Sequence, residues 1–299
     1  MNAVLEATAL GKRYGRRWAL LDCTIAIPEG KVVGLVGPNG AGKTTLLHLA
    51  VGLLAPTTGS LKVLGAHPAQ GPEQLAKVGF VAQDTPTYMA LTVADHLRLG
   101  AGLNSRWDSG AGEKRIQQIG LDSNQRVRSL SGGQRAQLAL TMAIAKRPEL
   151  LILDEPVASL DPLARREFLE GLSQVVSDHG VSVILSSHLV ADLERVCDYV
   201  VVLVASRVRV AGAIDELLSL HRHVTGPRRD LVDLPTGSQV IGARHTEVQS
   251  TFLVRGADLV VGPEWTVEKV NLEDMVLAYM GHSDADGNAS SMSQSGLTS

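Results

Sequence analysis

Residues Gly37-Pro38-Asn39-Gly40-Ala41-Gly42-Lys43-Thr44 match the pattern GxxxxGK[ST], which brings together the groups needed to hold a nucleoside triphosphate. The glycines let backbone N–H groups turn inward around phosphate oxygens, and a helix start behind them adds positive potential. Lys43 then reaches the terminal phosphates, Thr44 ligates Mg²⁺, and Thr45 can donate to a further phosphate oxygen. A glycine turn that binds nothing requires neither the lysine nor the hydroxyl. The loop alone specifies only the broad class of P-loop NTPases, which includes kinases, GTPases and motors.

A second group of residues suits the same chemistry. Leu150-Leu151-Ile152-Leu153-Asp154-Glu155 is an apolar run that delivers two carboxylates at its C-terminal end. Asp154 suits a Mg²⁺ ion and Glu155 suits polarising an attacking water. Alone, two adjacent acids at a strand end could be solvated loop charges; about 110 residues after a phosphate loop, that reading loses ground. A third feature, Leu130-Ser131-Gly132-Gly133-Gln134, precedes a helical stretch with Leu138, Met142 and Ala145 and makes a second anion-binding helix start. One triphosphate needs one phosphate loop, so this start is best matched to a phosphate held by a partner subunit. The plain alternative is a serine N-cap followed by flexible glycines.

These groups must be presented by a scaffold, and the hydrophobic pattern outlines one. Val32 to Val36 is a short apolar run, followed after the glycine loop by Leu46, Leu47, Ala50, Leu53 and Leu54 at helical spacing. Leu150 to Leu153 and Val181 to Leu185 predict further strands buried on both faces. The helix between them has Asp161 as N-cap, Pro162 at its first position, and Phe168, Leu169, Leu172, Val175 and Val176 along one stripe.

The predicted fold is therefore α/β: a P-loop NTPase core with a mostly parallel sheet. Ala3 to Leu10 and Ala19 to Ile27 predict an antiparallel β layer beside it, and residues 84–147 predict a helical insertion, including Val93 to Leu99 and Glu113 to Ile119 closed by Gly120. After residue 220 the texture changes. Short β-like runs at Val240 to Ala243, Thr251 to Val254 and Leu259 to Val261 precede a helix with Asn271 as cap and Gly281 as stop. Residues 1–220 are expected to form the ATP-binding domain, 221–282 a small C-terminal α+β appendage, and 283–299 a disordered Ser/Gly/Asp-rich tail.

Composition narrows the partners. The formal net charge is -3, and the charges are dispersed, which argues against a broad basic field and hence against nucleic acid as a partner. Cys23 and Cys197 are the two cysteines, too far apart in sequence for metal-ligand spacing, and a reducing cytoplasm fits. No run approaches the roughly 18 apolar residues of a membrane span, and Met1 to Leu10 lacks the pattern of a leader, so a membrane role is expected to come through a partner.

The Leu130-Ser131-Gly132-Gly133-Gln134 stretch resembles the LSGGQ signature of ABC transporter ATP-binding subunits, and it stands about twenty residues before the paired acids as in that family. The resemblance spans residues 3–220. It implies an ATPase that works as a head-to-tail dimer, either a homodimer or a pair with a paralogous ATPase subunit, in which Ser131, Gly132, Gly133 and Gln134 of one copy close over ATP held by Lys43 of the other. An integral membrane transporter subunit is the further partner, with the ATPase bound peripherally at the cytoplasmic face.

Other positions resemble the family residue by residue. Tyr14, in a chain only 3% aromatic, resembles the ring that stacks on adenine, although an exposed turn tyrosine is the alternative. Gln83 resembles the glutamine that touches Mg²⁺ and the attacking water and reports to the membrane partner. Asp161, in Ser159-Leu160-Asp161, resembles the loop that crosses the dimer interface, and capping its own helix is compatible with that. His188 resembles the switch histidine at the γ-phosphate, against the alternative of a structural histidine.

Val157-Ala158 departs from the commoner Thr-Ser, and Ala136 to Ala145 has fewer arginines than usual. The ending Asn271-Leu272-Glu273-Asp274-Met275-Val276-Leu277 is similar to one common among exporter ATPases, which favours export. The alternative reading is a soluble ABC ATPase acting on nucleic acid or ribosomes. The single phosphate loop and the lack of sustained heptads weigh against it.

Overall fold

The structure, a computed structural model, describes residues 2–85, 87–229, 234–235, 237–256, 259 and 261–281; the tail expected at 283–299 lies outside the described residues. Strands β1 (Ala3–Tyr14) and β2 (Arg17–Pro28) form a hairpin that turns at Gly15 and Arg16, with Gly15 at φ 57°. Both strands outrun their apolar alternation, because several register shifts absorb the residues that break the pattern.

Strand β3 (Val32–Val36) leads through the glycine loop into α1 (Lys43–Ala50). This helix stops before Leu53 and Leu54, which the apolar spacing had included: Gly52 takes a left-handed φ of 75° and Leu53 is left 63% exposed. Strand β4 (Thr58–Val63) then pairs with β1 to complete a three-stranded antiparallel sheet in the order β2-β1-β4. Helix α2 (Pro72–Ala76) precedes β5 (Val78–Val81).

The insertion contains α3 (Val93–Leu103), α4 (Ser109–Gln118) and α5 (Gly132–Ala145), with one 3₁₀ turn at Val127–Ser129. Thr92 and Asp95 cap the first reciprocally, Asp108 caps the second, and Gly120 at φ 68° follows its end. Their own small core includes Val93, Leu97, Ile116 and Leu138.

Strand β6 (Leu150–Leu153), helix α6 (Pro162–His179), strand β7 (Ser182–Ser187), helix α7 (Val190–Glu194), strands β8 (Tyr199–Val204) and β9 (Arg207–Ala213), and helix α8 (Ile214–Leu220) follow. The central sheet has the order β5-β6-β7-β3-β8-β9, all parallel except β9. Its parallel strands are largely apolar without alternation because both faces are covered, whereas the edge strand β9 alternates and is mostly half-buried. Val32, Val36, Leu151, Leu153, Val183 and Leu185 share a core with α5 and α6, while Val33, Leu35, Leu150, Ile152 and Ile184 share one with α1 and the antiparallel layer.

The C-terminal segment adds β10 (His221–Pro227), β11 (Gln239–His245), β12 (Gln249–Arg255), β13 (Thr266–Lys269) and α9 (Leu272–Gly281). The four strands form an antiparallel sheet in the order β11-β12-β10-β13. Leu259 and Val261, expected in a strand, lie outside any strand and pack instead on the cluster of Val224, Phe252, Val254 and Trp265. Gly281, expected to stop the last helix, is its final residue. Leu272, Met275, Val276 and Tyr279 of α9 belong to the same core as Leu185, Leu193 and Val200, so this segment is packed on the central domain.

Candidate nucleotide site

Parallel strands put all their C-terminal ends on one edge of the sheet, where α/β proteins bind ligands. Here the neighbours β5, β6, β7 and β3 end respectively in Gln83, the pair Asp154 and Glu155, His188, and the glycine loop. Strand order therefore gathers residues separated by more than a hundred positions in sequence.

The loop itself is shaped by close packing. A Cβ on Gly37 would strike the Leu203 carbonyl, and one on Gly42, at φ 109°, would strike the Ala19 carbonyl. Ala41 N–H donates to the Pro38 carbonyl at 3.1 Å, closing the turn beside the exposed Pro38 and Asn39. Lys43 is 5% exposed and its Nζ donates to the Gly37 carbonyl at 2.8 Å. It also stands 3.4 Å from Glu155 Oε1, while the other oxygen of Glu155 accepts from His188 Nδ1 at 3.0 Å.

Glu155 has φ 45°, a left-handed conformation costing about 1–2 kcal/mol in a residue with a Cβ. Buried Ser186 holds it there: its hydroxyl accepts from Glu155 N–H at 2.8 Å and donates to Asp154 Oδ1 at 2.7 Å. The other oxygen of Asp154 is buried without a partner. A carboxylate oxygen so placed is costly unless it meets a cation. With a threonine hydroxyl and substrate phosphates completing the oxygen set, these residues fit Mg²⁺, which takes few protein ligands. Among the described residues no group of three or more His, Cys, Asp or Glu forms a metal cage of its own.

Tyr14, Asn39, Gly40, Gly42, Lys43, Thr44, Thr45, Gln83, Glu155 and His188 line one cleft of about 750 Å³. Tyr14 is 50% exposed there, with Lys12 Nζ 5.5 Å from its ring centre. Arg17, Ala19 and Ala158 line the cleft as well; no local pattern singled them out, although a cation near a triphosphate is sensible and Arg17 sits in an Arg-Arg pair. Ser186 carries no such signal either, since a buried strand serine has no sequence signature.

Ser131, Gly132, Gly133, Gln134 and Asp161 are not among the residues lining that cleft. Ser131 caps α5 in a reciprocal box with Gln134, at 3.1 Å and 2.9 Å, and Arg135 donates to the Leu130 carbonyl at 2.9 Å. Gly133 has room for no Cβ without pressing on Ala164, one turn into α6. Asp161 accepts from Leu163 and Ala164 N–H at 3.0 Å each. Near the cleft, Asp192 of α7 is buried against Arg165 at 3.8 Å; burial pushes its carboxyl up, and the charges of Arg165, Arg195 and His188 pull it back down.

A strand, phosphate loop and helix, with paired acids on the next strand but one, define a P-loop nucleoside triphosphatase. Residues 20–158 match the family described as ABC transporter. The chain is 31% identical over 305 residues to the Nod factor export ATP-binding protein I of Cupriavidus pinatubonensis, covering 96% of this chain and 93% of that one. It is 32% identical over 228 residues to the bacitracin transport ATP-binding protein BcrA of Enterococcus faecalis, covering 75% and 74%. A solved ATP-binding subunit of an ABC transporter superposes with a TM-score of 0.63 at 31% identity, covering 72% of this chain and 91% of that one. The chain belongs to the ABC transporter family as an ATP-binding subunit, an ATPase that powers transport rather than one acting on nucleic acid or ribosomes. Among the described residues no helix is long and apolar enough to cross a membrane.

Proposed function

We propose that this chain drives an export system by closing head to tail on a second ATPase subunit, at the cytoplasmic face of a membrane where a separate integral subunit forms the passage. The observation carrying this reading is that the cleft and the Ser131 helix start share no lining residue within one protomer. An ATP in the cleft thus lacks the second phosphate clamp until a partner supplies Ser131, Gly132, Gly133 and Gln134, with Asp161 at the crossing loop. Export is supported by the relative named for Nod factor export, which the chain matches over nearly its whole length, and by the similarity of the 271–277 ending to exporter ATPases.

Within the cleft, Tyr14 stacks on adenine, and the inward N–H groups of residues 37–45 with Lys43 bind the phosphates. Glu155 orients and deprotonates the attacking water, with Gln83 and His188 holding it in line with the terminal phosphate. Thr44, Asp154 and Gln83 would hold Mg²⁺, which when bound neutralises the charge developing on the phosphate oxygens. Lys43 withdraws from Glu155 when phosphate arrives, which frees the carboxylate for water.

The membrane subunit has a suitable seat beside Gln83. A groove of about 580 Å³ is lined by Leu53, Leu75, Phe80, Tyr88, Leu99 and Met142, and Tyr88 is 65% exposed. Large apolar side chains along a groove suit an amphipathic helix.

Glu155→Gln tests the reading. With Mg²⁺ and ATP this variant should bind nucleotide, hydrolyse it about a hundredfold more slowly or worse, and elute as a stable dimer. Adding Ser131→Arg should return it to a monomer that still binds ATP. A Glu155→Gln protein that stays monomeric at saturating nucleotide sinks the composite site.

A further inference from the structure

His188 stands just ahead of α7, a helix of five residues with no side-chain N-cap. Such a length lies far below what sustains an isolated helix, so its neighbours must orient it. Ser187, whose hydroxyl bonds Leu189 N–H at 3.0 Å, shapes the turn but leaves the helix axis undetermined.

Two neighbours grip α7 from different elements. Asp192, 8% exposed, has its Oδ2 3.8 Å from Arg165 Nε, and neither atom has a hydrogen-bond partner. Arg165 sits one turn into α6, its N–H bonded to the Asp161 carbonyl at 2.9 Å. Charge therefore links α7 to the helix that begins at the crossing loop. From the C-terminal segment, Leu272 N–H, the first of α9, donates to Glu194 Oε1 at 3.2 Å. Leu272 is fully buried, and the Asn271 side chain is engaged elsewhere, on Asp274 N–H at 2.7 Å, so Glu194 supplies the acceptor that this helix start needs. Leu193, also fully buried, shares a core with Leu272, Met275 and Val276.

We propose that α7 is a positioning element for hydrolysis: the Arg165–Asp192 pair aligns it with α6, the Glu194–Leu272 bond aligns it with α9, and the C-terminal segment thereby sets how His188 meets Glu155. This rests on the catalytic reading of His188 given above. The segment from β10 to α9 then has a mechanical role in the ATPase cycle although it contributes no residue to the cleft.

Steady-state and single-turnover ATP hydrolysis by the full chain tests this. Glu194→Ala should lower kcat about three- to tenfold, in keeping with the cost of sub-ångström misplacement, and leave KM within about twofold. Glu194→Gln keeps an acceptor oxygen and should restore kcat to within about twofold of the parent. In a His188→Ala background, Glu194→Ala should slow turnover no further, because the two act through one group. Asp192→Asn, a second variant on the other grip, should lower kcat with the same dependence on His188.

A parental kcat for Glu194→Ala, an equal loss in Glu194→Gln, or full additivity with His188→Ala overturns the proposal. If His188→Ala itself turns over at the parental rate, the catalytic reading of the histidine fails and takes this inference with it. A slow His188→Ala beside a normal Glu194→Ala overturns the inference alone.

Discussion

Removing one buried hydroxyl should uncouple the paired acids from the sheet. Ser186→Ala leaves Glu155 N–H and Asp154 Oδ1 without partners, in a place where Asp154 Oδ2 already lacks one. Each orphaned buried group costs about 1–3 kcal/mol, and losing the burial of the hydroxyl itself recovers only part, so a net loss of about 2–4 kcal/mol follows. For a domain of this size that lowers the melting temperature by roughly 5–12 °C.

Function should suffer more than stability. The 2.8 Å bond from Glu155 N–H helps hold a backbone at φ 45°, and its loss lets the residue relax towards ordinary values. Moving the carboxylate by about 1 Å costs on the order of a hundredfold in kcat, with KM for ATP little altered because the loop is untouched. Ser182→Ala is the control: Ser182 lies at the other end of the same strand and accepts from Gly30 N–H at 2.9 Å. It should lose about 1–2 kcal/mol and keep its turnover. Thermal melts by circular dichroism and a coupled ATPase assay read both. If Ser186→Ala melts within about 2 °C of the parent, or turns over within threefold of it, the assigned role of that hydroxyl is wrong.

Two more outcomes are expected. His221 is fully buried, with Nδ1 on the Leu217 carbonyl at 2.6 Å and Nε2 on the Tyr279 hydroxyl at 3.0 Å, and burial lowers its pKa below the ordinary 6.5, against the opposing Leu217 bond. The unfolded chain therefore takes up a proton near that value while the folded one does not, so this stability is present above it and declines as pH falls, by up to about 1.4 kcal/mol per pH unit. Melts at pH 7.5 and 5.5 should show a larger drop for the parent than for His221→Gln, and parallel drops would count against the buried neutral imidazole. Leu53→Asp, at an exposed position of the groove, should melt like the parent yet lose cosedimentation with membranes containing the integral subunit; undiminished cosedimentation would rule that seat out.

The candidate site residues were legible because their signals are local. A loop with glycines at 37, 40 and 42 ahead of Lys43, an apolar run ending in Asp154 and Glu155, and a Ser-Gly-Gly helix start each carry their geometry within a few residues. The same holds for Asp161 and Pro162, whose capping role needs only the next turn. Local pattern failed where a neighbour overrode it: Gly52 ended α1 early, β10 became a strand by pairing along its whole length with β12, and β13 by adding to the free side of β10 as an edge strand.

Sequence alone was sufficient for the parallel α/β core, and it marked the phosphate loop, the paired acids and the signature as candidates, since backbone freedom and hydrophobic periodicity are properties of short stretches. Tertiary structure alone decided that Ser186 would brace both acids, that Arg17 would join the cleft and that α9 would dock on α7. Those contacts depend on which strands lie side by side and in what register, such as Leu153 opposite Leu185, and register is set by the packing of the whole sheet.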